Sequence, residues 1–500
     1  MTPRSLVSLT AMAATEIQGP SLEAPSPFKE ASERRTEIVL SLVSHTNIGK
    51  TTLARTLLGE DVGEVADREH VTETASRREM IHTHKAALIL WDTPGFGHIG
   101  KLLKRLRREN GAAGWIMNEV VDRFFNRSLY CSLEAARNVR SEADLVLYLV
   151  NVREEPEDAA YVNAELELLQ ALEKPVIMIL NQVDWDRDPT PLRMKELENR
   201  WKQSFSRYPC LCNVLVLDAF TRAWHQELRL MDLIEPHLTP DKQTALAMIR
   251  NQWVRQYEQI KTSAIEQAGR LFLFACRQHT KQRPDQGKAE TFHALLAELQ
   301  NQMDAYLDHL IALFHIESSG QARLQADIQQ LAGLAGKALS ETRSGLLAGA
   351  LSGAGTGLAA DLMSGGLTVG GGALLGFLGG YLGGASYASV MNRLPRGRVS
   401  WKKPALIQFF KLTITYYLVT SHHGRGKGPL KAEEPNQYLT ILVERHTRDL
   451  ERDIGTLCKM AASPEHDEEA IKSFHKQFET LFGKVLTRVL ATLFPRGIQS

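Results

Sequence analysis

The chain has 500 residues, of which 43% are hydrophobic and 23% charged. That length suggests about three folding units, and that composition excludes a disordered protein. Its 59 Lys and Arg nearly cancel its 58 Asp and Glu, which excludes a strongly basic nucleic-acid coat and an acidic tail protein. Five cysteines, with only Cys210 and Cys212 close in sequence, form neither a disulfide framework nor a zinc pattern and fit a reducing, intracellular setting.

Residues 1–36 are rich in Ser, Pro, Ala and Glu and read as a disordered tail; the apolar patch from Leu6 to Ala14 is broken by Ser and Thr. The composition changes at Glu37. Ile38 to Val43 is a short β-type run leading into Ser44-His45-Thr46-Asn47-Ile48-Gly49-Lys50-Thr51-Thr52, and Leu53 to Leu58 continues as a helix. This is strand, loop, helix at the spacing G-x-x-x-x-G-K-[ST], with Ser44 in place of the first glycine. In such a loop, successive backbone N–H groups wrap phosphates at a helix N-terminus. Asn47, Ile48, Gly49, Lys50, Thr51 and Thr52 are therefore candidate nucleotide-binding residues. Lys50 reaches the β- and γ-phosphates in this reading, and the Thr51 hydroxyl ligates Mg²⁺.

Ala87 to Trp91 is a second strand, ending in Asp92-Thr93-Pro94-Gly95, a D-x-x-G element. Its aspartate holds the Mg²⁺ shell and its glycine N–H senses the γ-phosphate, so Asp92 is a metal residue and Gly95 a catalytic one. Asp144 to Val150 and Pro175 to Leu180 are further core strands. The latter runs into Asn181-Gln182-Val183-Asp184, close to N-K-x-D. Asp184 accepts from guanine N1–H and N2–H, which adenine does not offer. Asn213 to Leu217 is a fifth strand followed by Asp218-Ala219-Phe220, where the Ala219 N–H is placed to meet guanine O6. These elements all fall at the C-terminal ends of strands, where open α/β sheets bind ligands.

On these motifs, together with Gly63-Glu64-Val65-Ala66-Asp67-Arg68, residues 37–235 resemble the small GTPases of the Era and TrmE type. More narrowly, the chain resembles a bacterial family with such a GTPase at its N-terminus and a helical C-terminal half of unknown function. The resemblance implies an α/β P-loop domain with a mostly parallel, doubly wound sheet. It also implies GTP hydrolysis to GDP and phosphate with Mg²⁺, and a K⁺ ion held by Asn47 in place of an arginine finger. Thr72 in His70-Val71-Thr72-Glu73 is the corresponding switch threonine for Mg²⁺ and catalysis, with Thr74 as runner-up. Three departures point to slow turnover: Ser44 for glycine, Gln182 for the lysine beside the base, and Phe96 where Ras-like enzymes keep a water-positioning Gln. His98 lies close to the phosphate region in sequence.

Lys101, Lys104, Arg105, Arg107 and Arg108 read as a basic, solvated helix face, and Trp115 to Val139 as an inserted helical segment. From Asp241 the pattern turns helical. Ile249, Trp253, Tyr257 and Ile260 share one face, as do Phe292, Leu296, Leu299, Met303, Leu307 and Leu310. Ser344 to Asn392 carries a single charge, Asp361. Gly345, Gly349, Gly353 and Gly357, then Gly372, Gly376, Gly380 and Gly384, recur at every fourth position. Eight interior glycines would cost a helix about 8 kcal/mol against Ala, so close helix–helix packing must offset them. Two arms of roughly 17–20 residues come near the bilayer span. Arg343 before them and Arg393, Arg396, Arg398, Lys402 and Lys403 after them would keep both ends cytoplasmic. A soluble buried hairpin is the alternative.

Pro404 to Thr420 is apolar and aromatic, His422 to Gly428 reads as a flexible basic loop, and two more helices follow. The expected organisation is thus a tail at 1–36, a GTPase domain at 37–238, and a helical domain at 239–343. A glycine hairpin at 344–392 and an all-α C-terminal domain at 393–500 complete it. The expected role is a GTP/GDP switch at the cytoplasmic face of the inner membrane, acting through lipid and a protein effector. The competing role is a soluble factor acting on RNA, against which stands the lack of a KH-type module after the GTPase.

Overall fold

The computed structural model describes residues 35–60, 75–97, 99–108, 127–183, 191–281, 288–316, 391–394, 398–427, 437–462 and 468–494. Its first half is a six-stranded sheet of order β2-β3-β1-β4-β5-β6. The strands are β1 (Thr36–Ser44), β2 (Ser76–His82), β3 (Ala86–Asp92), β4 (Leu145–Asn151), β5 (Val176–Asn181) and β6 (Leu211–Val216). All neighbours pair parallel except β2, which runs antiparallel to β3 on the edge. The central strands are near-continuous apolar runs because both faces are covered. From one face Ile38, Leu40 and Leu42 of β1 meet Leu53 and Leu57 of α1 (Lys50–Leu58). From the other, Val146, Tyr148 and Val150 of β4 meet α3 (Arg127–Ser141) and α4 (Ala160–Ala171) through Leu133, Val139, Leu166 and Leu169. Between them α2 (Ile99–Arg108) packs on α3 and α4. The sheet is completed by α5 (Pro191–Ser204) and α6 (Trp224–Ile234).

The strand order reverses at β1, whose neighbours are β3 and β4. The loop after β1 therefore opens onto the crevice where doubly wound sheets take their ligands. Asp92 ends β3, beside β1, and Asn181 ends β5, one strand beyond β4.

Helix α7 (Pro240–Arg277) is 38 residues long, about 57 Å at 1.5 Å per residue. Its first half belongs to the sheet: Ala245, Leu246, Ile249 and Trp253 pack with Ile38, Leu40 and Leu42. Its second half, from Ala264 to Cys276, packs in the helical bundle. One unbroken rod thus joins the two halves just after residue 238, and its two halves face different cores.

The bundle comprises α7, α8 (Lys288–Leu313), α9 (Lys403–Ser421), α10 (Gln437–Thr447), α11 (Glu451–Ala461) and α12 (Glu468–Leu493). Helix α9 is its centre, buried on every side, as an all-round apolar helix must be. Phe410 of α9 meets Phe272 of α7 and Phe478 of α12, each at 5.4 Å between ring centroids. Lys411, also buried, is held by Glu444 Oε2 at 2.8 Å and Glu451 Oε1 at 2.7 Å, the pairing a buried charge requires.

The helical half also contains a small antiparallel sheet of order β7-β9-β8, formed by His279–Lys281, Arg398–Trp401 and Met391–Leu394. It ties the end of α7 to the entry of α9, and Met391 and Asn392, the last residues of the expected hairpin, are strand. The rest of that hairpin lies outside the described residues. Among the described residues no helix is long and apolar enough to cross a membrane.

Candidate nucleotide site

The loop between β1 and α1 turns through two left-handed residues, Asn47 at φ 62° and Gly49 at φ 95°. Glycine adopts that conformation freely, and at Gly49 a Cβ would also lie 3.1 Å from Asn181 Nδ2. The turn places Lys50 and Thr51 in the first turn of α1, both buried. Asn47, by contrast, stays exposed at the crest of the loop.

The Lys50 ammonium donates to Ser44 Oγ at 3.1 Å. The serine that departs from the glycine pattern thus supplies an acceptor for the lysine. Only 7% of Lys50 is exposed. Burial pushes its pKa down, and the nearby Asp92 carboxylate opposes this. The Thr51 hydroxyl donates to Asp92 Oδ2 at 2.7 Å. Asp92 Oδ1 is buried and has no hydrogen-bond partner among the described residues. Burial raises the Asp92 pKa, against the pull of Lys50 and the Thr51 bond. The Thr51 hydroxyl and the Asp92 carboxylate, whose Oδ1 is unpartnered, are hard oxygen donors, and one or two such ligands beside phosphate is how Mg²⁺ is ordinarily bound. The donor set fits that ion.

Gly95 closes the site from the β3 side. A Cβ there would lie 3.0 Å from Thr46 Cα and 3.1 Å from Lys50 Nζ, so the loop approaches its backbone directly. The next residue, Phe96, donates its N–H to Ser44 O at 2.9 Å. Its ring is fully buried in the core with Val43, Ile99 and Leu102. Phe96 is thus a packing residue that fastens the Asp92–Gly95 segment to the loop, and its side chain does not face the crevice.

Asn181, fully buried, spans two loops. Its Nδ2 donates to Ile48 O at 2.9 Å and its Oδ1 accepts the Ala219 N–H at 2.9 Å. The amide expected to meet guanine O6 is thus engaged with Asn181 here. Gln182 is left-handed at φ 63°, and its N–H donates to Asp218 Oδ1 at 3.1 Å. The structure therefore gathers Ile48, Gly49, Lys50, Thr51, Asp92, Gly95, Asn181 and Ala219 around one crevice. Thr72, Thr74, His98 and Asp184 lie outside the described residues.

Two contacts escaped the sequence reading. His45, in the loop itself, shares 2.8 Å with Glu165 Oε1, and Glu165 Oε2 accepts the Tyr148 hydroxyl at 2.6 Å. Glu165 is wholly buried on α4, while 34% of the His45 side chain is exposed. The Glu165 bond raises the His45 pKa; burial raises that of Glu165 against the pull of His45 and Tyr148. The only hint in the sequence is an acid on the apolar face of a helix. Second, the segment His422–Gly426, read above as a flexible loop, is packed on the β6–α6 loop through Gly424 and Gly426.

Residues 39–182 match the family described as 50S ribosome-binding GTPase, and residues 210–400 match a domain of unknown function (DUF3482). Among curated proteins, GTPase Era of Heliobacterium modesticaldum is 25% identical over 145 residues, covering 29% of this chain and 39% of the relative. GTPase Der of Sulfurimonas denitrificans is 26% identical over 148 residues, covering 30% of this chain and 24% of the relative. The chain therefore spans well under half the length of these relatives. A solved structure of an Aquifex aeolicus Era variant bound to GDP.AlF4- is 16% identical at a TM-score of 0.30, covering 55% of this chain and 90% of that one. The sequence match and the sheet topology agree that this chain joins a P-loop GTPase domain, with Era and Der among its relatives, to a C-terminal domain of unknown function.

Proposed function

We propose that the protein binds GTP, hydrolyses it slowly to GDP and phosphate, and acts as a nucleotide switch read by its helical half. The observation that carries this reading is the pairing of Thr51 with Asp92 beside a buried, unpartnered Oδ1, in a crevice where Asn181 ties the phosphate loop to the base-side loop. Lys50 supplies positive charge to the β- and γ-phosphates from the helix N-terminus. Thr51 and Asp92 would hold Mg²⁺, with Thr72 as the candidate third residue in the GTP state. When bound, the ion spreads the charge that develops on the phosphate oxygens. Gly95 offers its N–H to the γ-phosphate, and movement there reaches Ser44 directly through the Phe96 amide. Asp184 and the Ala219 loop read the base.

The Asn47 side chain, exposed on the loop, is the candidate K⁺ ligand. The helical half carries the output, with the glycine-rich stretch 344–392 as its candidate lipid contact. The test is phosphate release from GTP by the full chain with Mg²⁺, in K⁺ and in Na⁺. Turnover abolished by Lys50→Ala supports the reading, and GTP binding without any turnover would reduce the protein to a nucleotide-stabilised binding module. Flotation with anionic liposomes, beside a deletion of 344–392, tests the lipid output; if neither protein floats, the search moves to RNA or a soluble partner.

A further inference from the structure

The β6–α6 loop, Asp218–Thr221, is held from outside its own domain by a segment that follows α9, more than 200 residues further along the chain. The Gly424 N–H donates to Phe220 O at 3.1 Å, the Gly426 N–H to Ala219 O at 3.0 Å, and the Arg222 N–H to His422 O at 3.1 Å. His423 forms an antiparallel bridge with Thr221. Thr56, buried on α1, knots the two segments together. Its hydroxyl donates to Ala219 O at 2.7 Å and accepts the Arg425 N–H at 3.0 Å. The Arg425 guanidinium donates to Gly59 O, at the end of α1, at 2.5 Å.

The glycines are dictated by this approach. A Cβ on Gly424 would stand 2.4 Å from the Phe220 carbonyl carbon and 2.5 Å from Ala219 O. On Gly426 it would stand 2.9 Å from Thr52 Cγ2 and 3.0 Å from Ala219 O. Backbone cannot yield to such contacts without shifting the loop it meets. The run His-Gly-Arg-Gly is thus a strap laid on the loop, a single β-bridge at His423 running into a 3-10 turn at Arg425–Lys427, and its glycines allow backbone to meet backbone.

Ala219 is consequently fixed from both sides. Its N–H is held by Asn181 and its carbonyl by Thr56 and Gly426. We propose that residues 422–426 are positioning residues for the guanine-reading loop, so that the base site is a composite of the two domains and the helical half sets guanine preference. The proposal rests on the guanine site described above. The loop that borders the base takes its position from this strap, and a shift of it by a fraction of an ångström alters its hydrogen-bond reach to the base. By linkage, nucleotide binding also tightens the strap's hold.

The experiment measures dissociation constants of the full chain for GDP and for the diphosphate of 2-aminopurine riboside, which lacks O6. Wild type is compared with Gly424→Ala and with Thr56→Val, a shape-conserving change that removes the bridging hydroxyl. Loss of guanine preference by about fivefold or more, with 2-aminopurine affinity within about twofold of wild type, is the expected result; fivefold is the scale of one hydrogen bond. Parallel weakening of both ligands, or an unchanged preference in the folded variants, would overturn the proposal. Should Gly424→Ala fail to fold, Thr56→Val decides alone. A wild type that binds neither nucleotide tightly removes the guanine site itself, an outcome distinct from failure of the strap.

Discussion

Glu165 offers a sharp test of the packing beneath the phosphate loop. It is buried on α4, accepts the buried Tyr148 hydroxyl at 2.6 Å, and holds His45 at 2.8 Å. Glu165→Ala leaves the Tyr148 hydroxyl without its acceptor, a loss of about 1–3 kcal/mol. It also opens a small cavity worth about 1 kcal/mol more. The sum, roughly 2–4 kcal/mol, lowers the melting temperature of a domain of about 200 residues by roughly 4–16 °C. The pH dependence has a definite sign. Both His45 and Glu165 have raised pKa values in the folded state, so the native protein binds more protons than the unfolded chain. Stability then falls as pH rises. The Glu165 part is fully present below the ordinary carboxylate range and fades above it; the His45 part is fully present below about pH 6.5 and is lost through its raised pKa. Differential scanning of wild type and Glu165→Gln from pH 5.5 to 8.5 should show the wild-type advantage shrinking as pH rises. An advantage that grows with pH, or a Glu165→Ala protein melting within about 1 °C of wild type, would rule out this role for the Glu165 contacts.

Three further outcomes follow from named contacts. Asp92→Asn keeps a partner for Thr51 but removes the charge beside the orphaned oxygen, so the gain in GTP affinity on adding Mg²⁺ should shrink by about tenfold or more in titrations with and without the ion. Gly95→Ala puts a methyl group 3.0 Å from Thr46 Cα, and single-turnover assays should show hydrolysis slowed by about tenfold or more while GDP affinity stays within about threefold. Lys411→Met removes the ammonium shared by Glu444 and Glu451 in the bundle, and urea denaturation should record a loss of roughly 3–5 kcal/mol.

What could be read in advance follows from how each element is buried. β1, β3, β4 and β5 are covered on both faces and stand out as near-continuous apolar runs, and the site motifs sit at the ends of β1, β3 and β5. β2 was missed because Ser76–His82 is an edge strand with only Ile81 buried; its arginines and glutamate look like loop, as charged edge strands do. The three-residue strand β7 pairs with β9 more than 100 residues further along, and no local pattern marks such a pairing. The amphipathic face Ile249 and Trp253 was visible, but periodicity alone does not say which core it meets, and it meets the β-sheet. Glu165 looks like any helical acid until Tyr148 and His45 arrive from other elements. Gly424 and Gly426 suggested freedom, whereas their lack of side chains serves close contact.

The most direct test of the account is calorimetric titration of the full chain with GDP and with ADP in Mg²⁺, alongside Asn181→Ala. Binding of GDP at least about a hundredfold tighter than ADP, lost by about tenfold or more when the Ile48 and Ala219 contacts of Asn181 are removed, is the predicted result. Equal affinity for the two nucleotides, or GDP binding indifferent to Asn181, would contradict a guanine-nucleotide site built on this crevice.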